Sequence, residues 1–403
     1  MSSNFFSRRR LMQTAGAVAG GLAANRLMNG PGSLISRPAF AQLAPEKSAV
    51  LMIYLQGGYN AVFNSADSFA PAGTFGVTAG NQKSLGNNLV IDNPTMGTLP
   101  AYALSHMATV GIRDGITSHA AAQTANFSDG TNSYALKLAD AIGGDASIKA
   151  VQAGSRGQPG PHPAVNGVSL QTITDMKSTI AALGGLTDPT VPDRAIGANG
   201  LIAAQTMSGA RLTQSPSMTT SMSDGYNAAI ATLQAPVKPF DYTALATAYG
   251  YNSSNTAVNN FTTQIACAEL MITAGANYVV AVDSGWDTHG DTNASTVRNM
   301  MTSRILPPLK VFINRMLNRT DMNVVVAIFG DFARSLPGSD HASALAATVI
   351  GKYVKVGTTG RMSANVTLPS GTPSVPGFWS YLATVAKAPS NPFGANQHPS
   401  IAL

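Results

Sequence analysis

Imidazoles are scarce in this chain, six in 403 residues, so their placement beside carboxylates is informative. Asp287-Thr288-His289 and Asp340-His341 each lie in a Gly-flanked loop after an apolar segment. A third carboxylate, Asp331, directly follows the apolar run Asn323–Phe329 and Gly330. Carboxylate oxygens with imidazole nitrogens suit Zn²⁺, Mn²⁺ or Fe, and carboxylates alone suit Mg²⁺ or Ca²⁺. The expectation is one or two divalent ions (Zn, Mn, Mg or Ca) that polarise an ester oxygen and lower the pKa of a bound water or hydroxyl. The structural alternative is a set of loop-capping aspartates and partly buried histidines. Ser118 stands at a predicted helix N-terminus, where free N–H groups stabilise an anion or alkoxide; it is either a nucleophile or only an N-cap, with Thr117 the neighbouring option. His119 is a ligand, a base or a packed side chain. Arg334 either clamps an anion bidentately or makes a structural salt bridge. Trp286 either walls the site or belongs to the core, and Cys267 reads as a small buried hydrophobe.

These residues need a scaffold that brings them together. Ala49–Leu55, Met107–Ile112, Val165–Leu170, Asn277–Val282, Asn323–Phe329 and a segment near 349–356 read as strands, several of them apolar enough to be buried on both faces. Between them, helical patterns start near Ser118, run loosely over 128–146, and recur at 199–212, Ala257–Ala274, Ser295–Leu317 and Gly377–Lys387. The long one should bend or break at Pro307-Pro308. Ala153–Pro163 reads as a loop, and 184–225 as an irregular peripheral cap insertion. Strands alternating with helices predict an α/β sandwich with a mainly parallel sheet, whose ligand site lies at the strands' carboxyl ends. Asn60, Ser118, His119, Asp287, His289 and Asp331 all follow such runs.

Charged residues make up 11% of the chain, and the net charge of +6 is concentrated at one end. Residues 1–41 hold Arg8, Arg9, Arg10, Arg26 and Arg37 and no acid. The remainder is nearly neutral, which excludes the basic patch that nucleic acid binding needs. Three arginines, a mild Gly/Ala-rich stretch and Ala39-Phe40-Ala41 make a twin-arginine export signal, cleaved to leave a single domain over 42–403. This implies passage through the twin-arginine translocase and a periplasmic or secreted location. No apolar run is long enough for a transmembrane anchor after cleavage. A single cysteine excludes a disulfide framework.

At these motifs the sequence resembles a bacterial family of exported proteins catalogued as domain of unknown function 1501, a remote relative of sulfatases and alkaline phosphatases. The matching stretches are Gly57-Gly58-Tyr59-Asn60, Ser118-His119-Ala120, Trp286-Asp287-Thr288-His289-Gly290, Gly330-Asp331-Phe332-Ala333-Arg334-Ser335 and Ser339-Asp340-His341-Ala342. The resemblance implies an alkaline-phosphatase-like α/β/α sandwich. It also implies metal-site roles for Asp287, His289, Asp331, Asp340 and His341, with Ser118 at the nucleophile position. The implied substrate is a small anionic phosphate or sulfate ester, or a carbohydrate-linked one. Three positions depart from the family pattern: Asn60 stands for Asp, Asp331 for Glu and Ala342 for Gly. A neutral amide holds a hard cation weakly, so Asn60 as a metal-site residue predicts one loose or absent metal, with Asp67 the nearest substitute. The shorter Asp331 withdraws its oxygens by about 1.5 Å, and Ala342 crowds a loop expected to need unusual φ. Together the departures raise a second expectation, a catalytically degenerate relative that binds a ligand or partner in the envelope.

Overall fold

The computed structural model describes residues 46–72, 76–144, 146, 148–183, 194–212, 240–334 and 340–403. The expected export signal at 1–41 lies outside them. One compact unit comprises Leu43–Thr179 and Asp241–Leu403; a second includes Ile180–Phe240. Of the expected insertion at 184–225, the described part is a helix over Arg194–Leu212, which contains the helix expected near 199–212.

The strands are β1 (Lys47–Gln56), β2 (Tyr59–Asn60), β3 (Gln82–Gly86), β4 (Leu89–Asp92), β5 (Met107–Ile112), β6 (Ala150–Ala153), β7 (Leu170–Ile173), β8 (Tyr278–Ser284), β9 (Met322–Gly330), β10 (Ala333–Arg334), β11 (Leu345–Gly351) and β12 (Gly357–Thr359). Eight of them form the central sheet, in the order β12-β5-β11-β9-β1-β8-β6-β7. It is mainly parallel, as the α/β pattern predicts. The exception is β11, antiparallel to both β5 and β9. The stretch from β9 to β11 carries no crossover helix among its described residues, and a parallel return needs one.

Among the helices, α1 (His119–Phe127) carries a site residue, and α2 (Tyr134–Ile142) and α3 (Val375–Val385) pack on one face of the sheet. Every residue from Ala49 to Leu55 is fully buried, so both faces of β1 are covered. Val50, Met52 and Tyr54 join one core cluster with Leu138 of α2 and with Trp379 and Leu382 of α3. Leu51 and Ile53 point the other way by strand alternation.

Four sequence readings need correction. The strand placed at Val165–Leu170 lies at Leu170–Ile173, with only an isolated bridge between Val165 and Val168. The strand near 349–356 is β11, starting earlier at Leu345. The loose helix over 128–146 is confined to Tyr134–Ile142, where the Ser133 hydroxyl accepts from Leu136 N and sets its start. The run Ser295–Leu317 stays helical through Pro307-Pro308. It accommodates the prolines with a π turn over Met301–Ile305, and a second π turn covers Ile313–Leu317.

Strand direction decides which loops can meet. β9, β1 and β8 are parallel neighbours, so the loops after Gln56, Ser284 and Gly330 emerge at one edge. β5 runs the same way, because β11 is antiparallel to both β5 and β9. The reversed β11 therefore begins at that edge, Leu345 opposite Ile112, and delivers Asp340-His341 there.

Away from this edge, His398 is buried against the Tyr381 ring, its Nδ1 2.8 Å from Thr359 Oγ1. Burial pushes its pKa down to about 4. The stability linked to this neutral ring is fully present above about pH 6.5 and is withdrawn as pH falls toward the folded value. An NMR titration of the ring proton is expected to leave His398 neutral until near pH 4; titration near 6.5 would refute the assignment.

Candidate metal centre

The loops at this edge are stitched together through their backbones. Trp286 N donates to Gln56 O at 3.1 Å, and Tyr59 N donates to Phe332 O at 2.9 Å. Gly57 has a φ of +117° and passes so close to the next loop that a Cβ would lie 2.6 Å from the Trp286 carbonyl carbon. A Cβ on Gly330 would lie 2.5 Å from the carbonyl carbon of Gly58.

Into this frame the fold brings His119, Asp287, His289 and His341, with one ligand atom of each within 4.8 Å of all the others. Each imidazole has its Nδ1 turned to an oxygen. His119 Nδ1 lies 2.6 Å from Asp331 Oδ2, His341 Nδ1 2.7 Å from the Thr117 carbonyl, and His289 Nδ1 3.4 Å from Asp340 Oδ1. Carbonyl and carboxylate oxygens only accept, so the ring protons of His119 and His341 sit on Nδ1 and their Nε2 atoms face inward, whereas His289 has a carboxylate oxygen beside each nitrogen, the nearer at Nε2. His289 Nε2 and His341 Nε2 are 3.0 Å apart, and His119 Nε2 is buried with no hydrogen-bond partner. Asp287 adds its carboxylate, Oδ1 3.0 Å from His289 Nε2 and Oδ2 3.4 Å from His119 Nε2. A proton on His289 Nε2 can be donated to His341 Nε2 or to Asp287 Oδ1, and a divalent ion can take the place of that proton. Three imidazoles and one carboxylate, each imidazole oriented by an outer oxygen, are a donor set that can hold a divalent ion. Imidazole nitrogens favour Zn²⁺, Fe or Cu²⁺ over the oxygen-seeking Mg²⁺, Ca²⁺ and Mn²⁺.

The residues expected in the site fall into distinct places. Asp331 is not in the ligand group. It is fully buried and accepts from His119 Nδ1, from Gln123 Nε2 at 2.9 Å and, in a short hydrogen bond, from the Tyr54 hydroxyl. Asp340 is exposed and reaches the centre through His289. Asn60 lies outside the group; its Oδ1 accepts from Val62 N at 3.0 Å and caps a short turn. Asp67 pairs with Arg361 and supplies no replacement. Ser118 occupies the N-cap position of α1 but makes no side-chain cap bond, and it is exposed. Ala342 is buried and is not among the residues with positive φ, so the expected strain is not found.

Arg334 is fully buried and is not open to a substrate as an anion clamp. Its Nη2 donates to the Gly57 carbonyl, to Trp286 O at 3.2 Å and to Asp287 Oδ1 at 2.6 Å. Burial alone would raise the Asp287 pKa, but the Arg334 guanidinium, with His119 and His289, holds it below the usual carboxylate range. Trp286 is a core residue, its Nε1 donating to Asp283 Oδ2 at 2.8 Å. Three contributors escape the sequence reading: Tyr54, Gln123 and the Thr117 carbonyl. Gln123 carries a findable signal, because it lies four residues after His119 on the same helix face.

A cleft of 480 Å³ adjoins the centre, lined by Asp287, Thr288, His289, Thr292, Asn293 and Ser295 among others. No protein-family model, curated protein or solved structure matches the chain.

Two outcomes test the geometry. Asp331→Asn removes the carboxylate that orients His119 and is expected to weaken Zn²⁺ binding about 10–100-fold in a chelator-competition titration, with the fold intact; unchanged affinity would sink this role. Gly57→Ala forces the Asp287 loop outward and is expected to abolish tight Zn²⁺ binding and cost about 2 kcal/mol or more of stability in a denaturant titration.

Proposed function

We propose that this protein is an exported single-metal ester hydrolase acting on phosphate or sulfate esters, with the alkaline-phosphatase-like sandwich that the motif resemblance implies. The observation that carries this reading is the convergence of the Nε2 atoms of His119, His289 and His341 on the Asp287 carboxylate, with an oxygen beside every Nδ1. The parallel sheet with its site at the carboxyl edge supports the fold assignment. The single group of four ligands among the described residues, with Asn60 occupied as a cap, favours one ion over two.

When bound, a divalent ion supplies Lewis acidity toward an ester oxygen. His119, His289, His341 and Asp287 hold it, and Asp331 and Arg334 keep His119 and Asp287 aimed. Ser118 is the candidate nucleophile. Its hydroxyl is not spent on capping, and its neighbours on either side, Thr117 and His119, both touch the centre. Its Oγ would form the bond to phosphorus or sulfur while the alcohol departs, and water would then release the acid. The twin-arginine signal supports folding, and loading of the metal, before passage through the translocase.

Elemental analysis of the mature protein, followed by a screen of aryl phosphates and aryl sulfates with Zn²⁺ or Mn²⁺, tests this. The expected result is one equivalent of metal, with metal and turnover both lost in Asp287→Ala. Ser118→Ala should retain the metal and lose at least about 100-fold in rate. Bound metal without turnover of any ester would favour the other reading, a catalytically degenerate envelope protein whose centre binds a ligand.

A further inference from the structure

A second cavity, of 420 Å³, is lined in part by Asp283 near the end of β8, four residues before Asp287. Its charged lining consists of Arg156, Arg304 and Asp283. Asp283 is buried and committed twice, to Arg304 Nη2 at 2.5 Å and to Trp286 Nε1 at 2.8 Å. Arg304 also donates to Ser284 O at 2.9 Å, which fixes its guanidinium at the rim. Arg156 bonds to the neutral Ser284 hydroxyl, and among the described residues no carboxylate pairs with it. One positive charge in the cavity is therefore uncompensated. The remaining lining is neutral, with Val258 and Phe261 apolar and Ser155, Asn259, Thr262 and Ser303 offering hydrogen-bond groups.

We propose that this cavity is an anion subsite, in which Arg156 and Arg304 take a tetrahedral oxyanion or carboxylate. Two guanidiniums present planar donor forks matched to such groups, and an unpaired one gains most from a charged acceptor. The cavity lies beside the metal centre in the chain as well as in space. Ser284 accepts from Arg156, a Cβ on Gly285 would lie 4.0 Å from Arg304 Nη1, and Asp287 is a metal ligand two residues further on. A substrate with an ester at the metal and a second anionic group at Arg156–Arg304 would be read at both ends. Assigning the anion to the substrate rests on the proposed ester chemistry; the binding of an anion here does not.

Calorimetric titration of the mature protein at low ionic strength with sodium sulfate, phosphate and acetate, each alone, tests the subsite. Arg304→Gln strips Asp283 of its partner and endangers the fold, so the exposed Arg156 carries the test. Arg156→Gln is expected to weaken sulfate or phosphate binding about tenfold or more at unchanged Tm, with Arg156→Lys in between. Asp287→Ala is expected to leave that binding in place. Acetate binding as well as sulfate points to a carboxylate occupant, and sulfate and phosphate alone point to a tetrahedral one; both support the subsite. The proposal fails if Arg156→Gln binds sulfate as the wild type does, if no anion binds, or if binding disappears only in Asp287→Ala, which places the anion at the metal. Anion binding that depends on Arg156 in a protein that hydrolyses no ester would overturn the hydrolase reading and leave the subsite standing.

Discussion

A guanidinium with no access to solvent ties the strand-end loops together. Arg334 donates to the Gly57 carbonyl after β1 and to Trp286 O and Asp287 after β8, from its own position after β9. Three parallel neighbours thus have their carboxyl ends locked to one another by one cation. Burying that charge is costly unless it is paired and its donors are met, and Asp287 supplies the pairing. The same bond aims the Asp287 carboxylate toward the imidazoles. Packing of the loops and orientation of a ligand are therefore one interaction. Three glycines belong to it as well: at 57 and 330 the backbones approach too closely for a side chain, and a Cβ on Gly58 would lie 2.6 Å from Arg334 Nε.

The histidines are held by a different device with the same logic. Each ring is anchored at Nδ1 by an oxygen from a separate source: a fully buried carboxylate for His119, a backbone carbonyl for His341 and an exposed carboxylate for His289. For His119 and His341 this anchoring chooses the tautomer, and the tautomer decides whether the inner nitrogens are donors or ligands. Asp331 shows how far the support extends, since Tyr54 from the sheet and Gln123 from α1 both donate to it. The candidate ligand group, the core and the start of that helix share this network. It holds His119 in a fixed orientation.

Much of the scaffold is visible in composition. Ala49–Leu55 and Asn323–Phe329 are near-continuous apolar runs, which only a strand covered on both faces needs, and they are the adjacent central strands β1 and β9. β6 escapes because four residues are too few to show a period, and Gln152 within it looks like loop chemistry. The prolines at 307 and 308 suggest a break, but the π turn ahead of them keeps the helical path continuous. Of the site, Asp287, His289 and His341 are recognisable as candidate ligands from residue type and strand-end placement, whereas His119 reads equally as a ligand, a base or a packed side chain, and Asp340 lies outside the group. The roles of Asp331, Asn60 and Arg334 are not, because a carboxylate, an amide or a guanidinium reads alike whether it meets a metal, a backbone N–H or another loop.

The division follows from range. Neighbours along the chain dictate the buried strands, the α/β alternation and the loops in which the candidate ligands lie, and residue order alone reveals them. The direction of β11, which carries His341 back to the carboxyl edge, emerges only when the sheet is assembled. So does the burial of Arg334, which makes it a clamp on Asp287 and not on a substrate. Strand direction and desolvation are set by contacts between residues tens to hundreds of positions apart, and no local pattern encodes them.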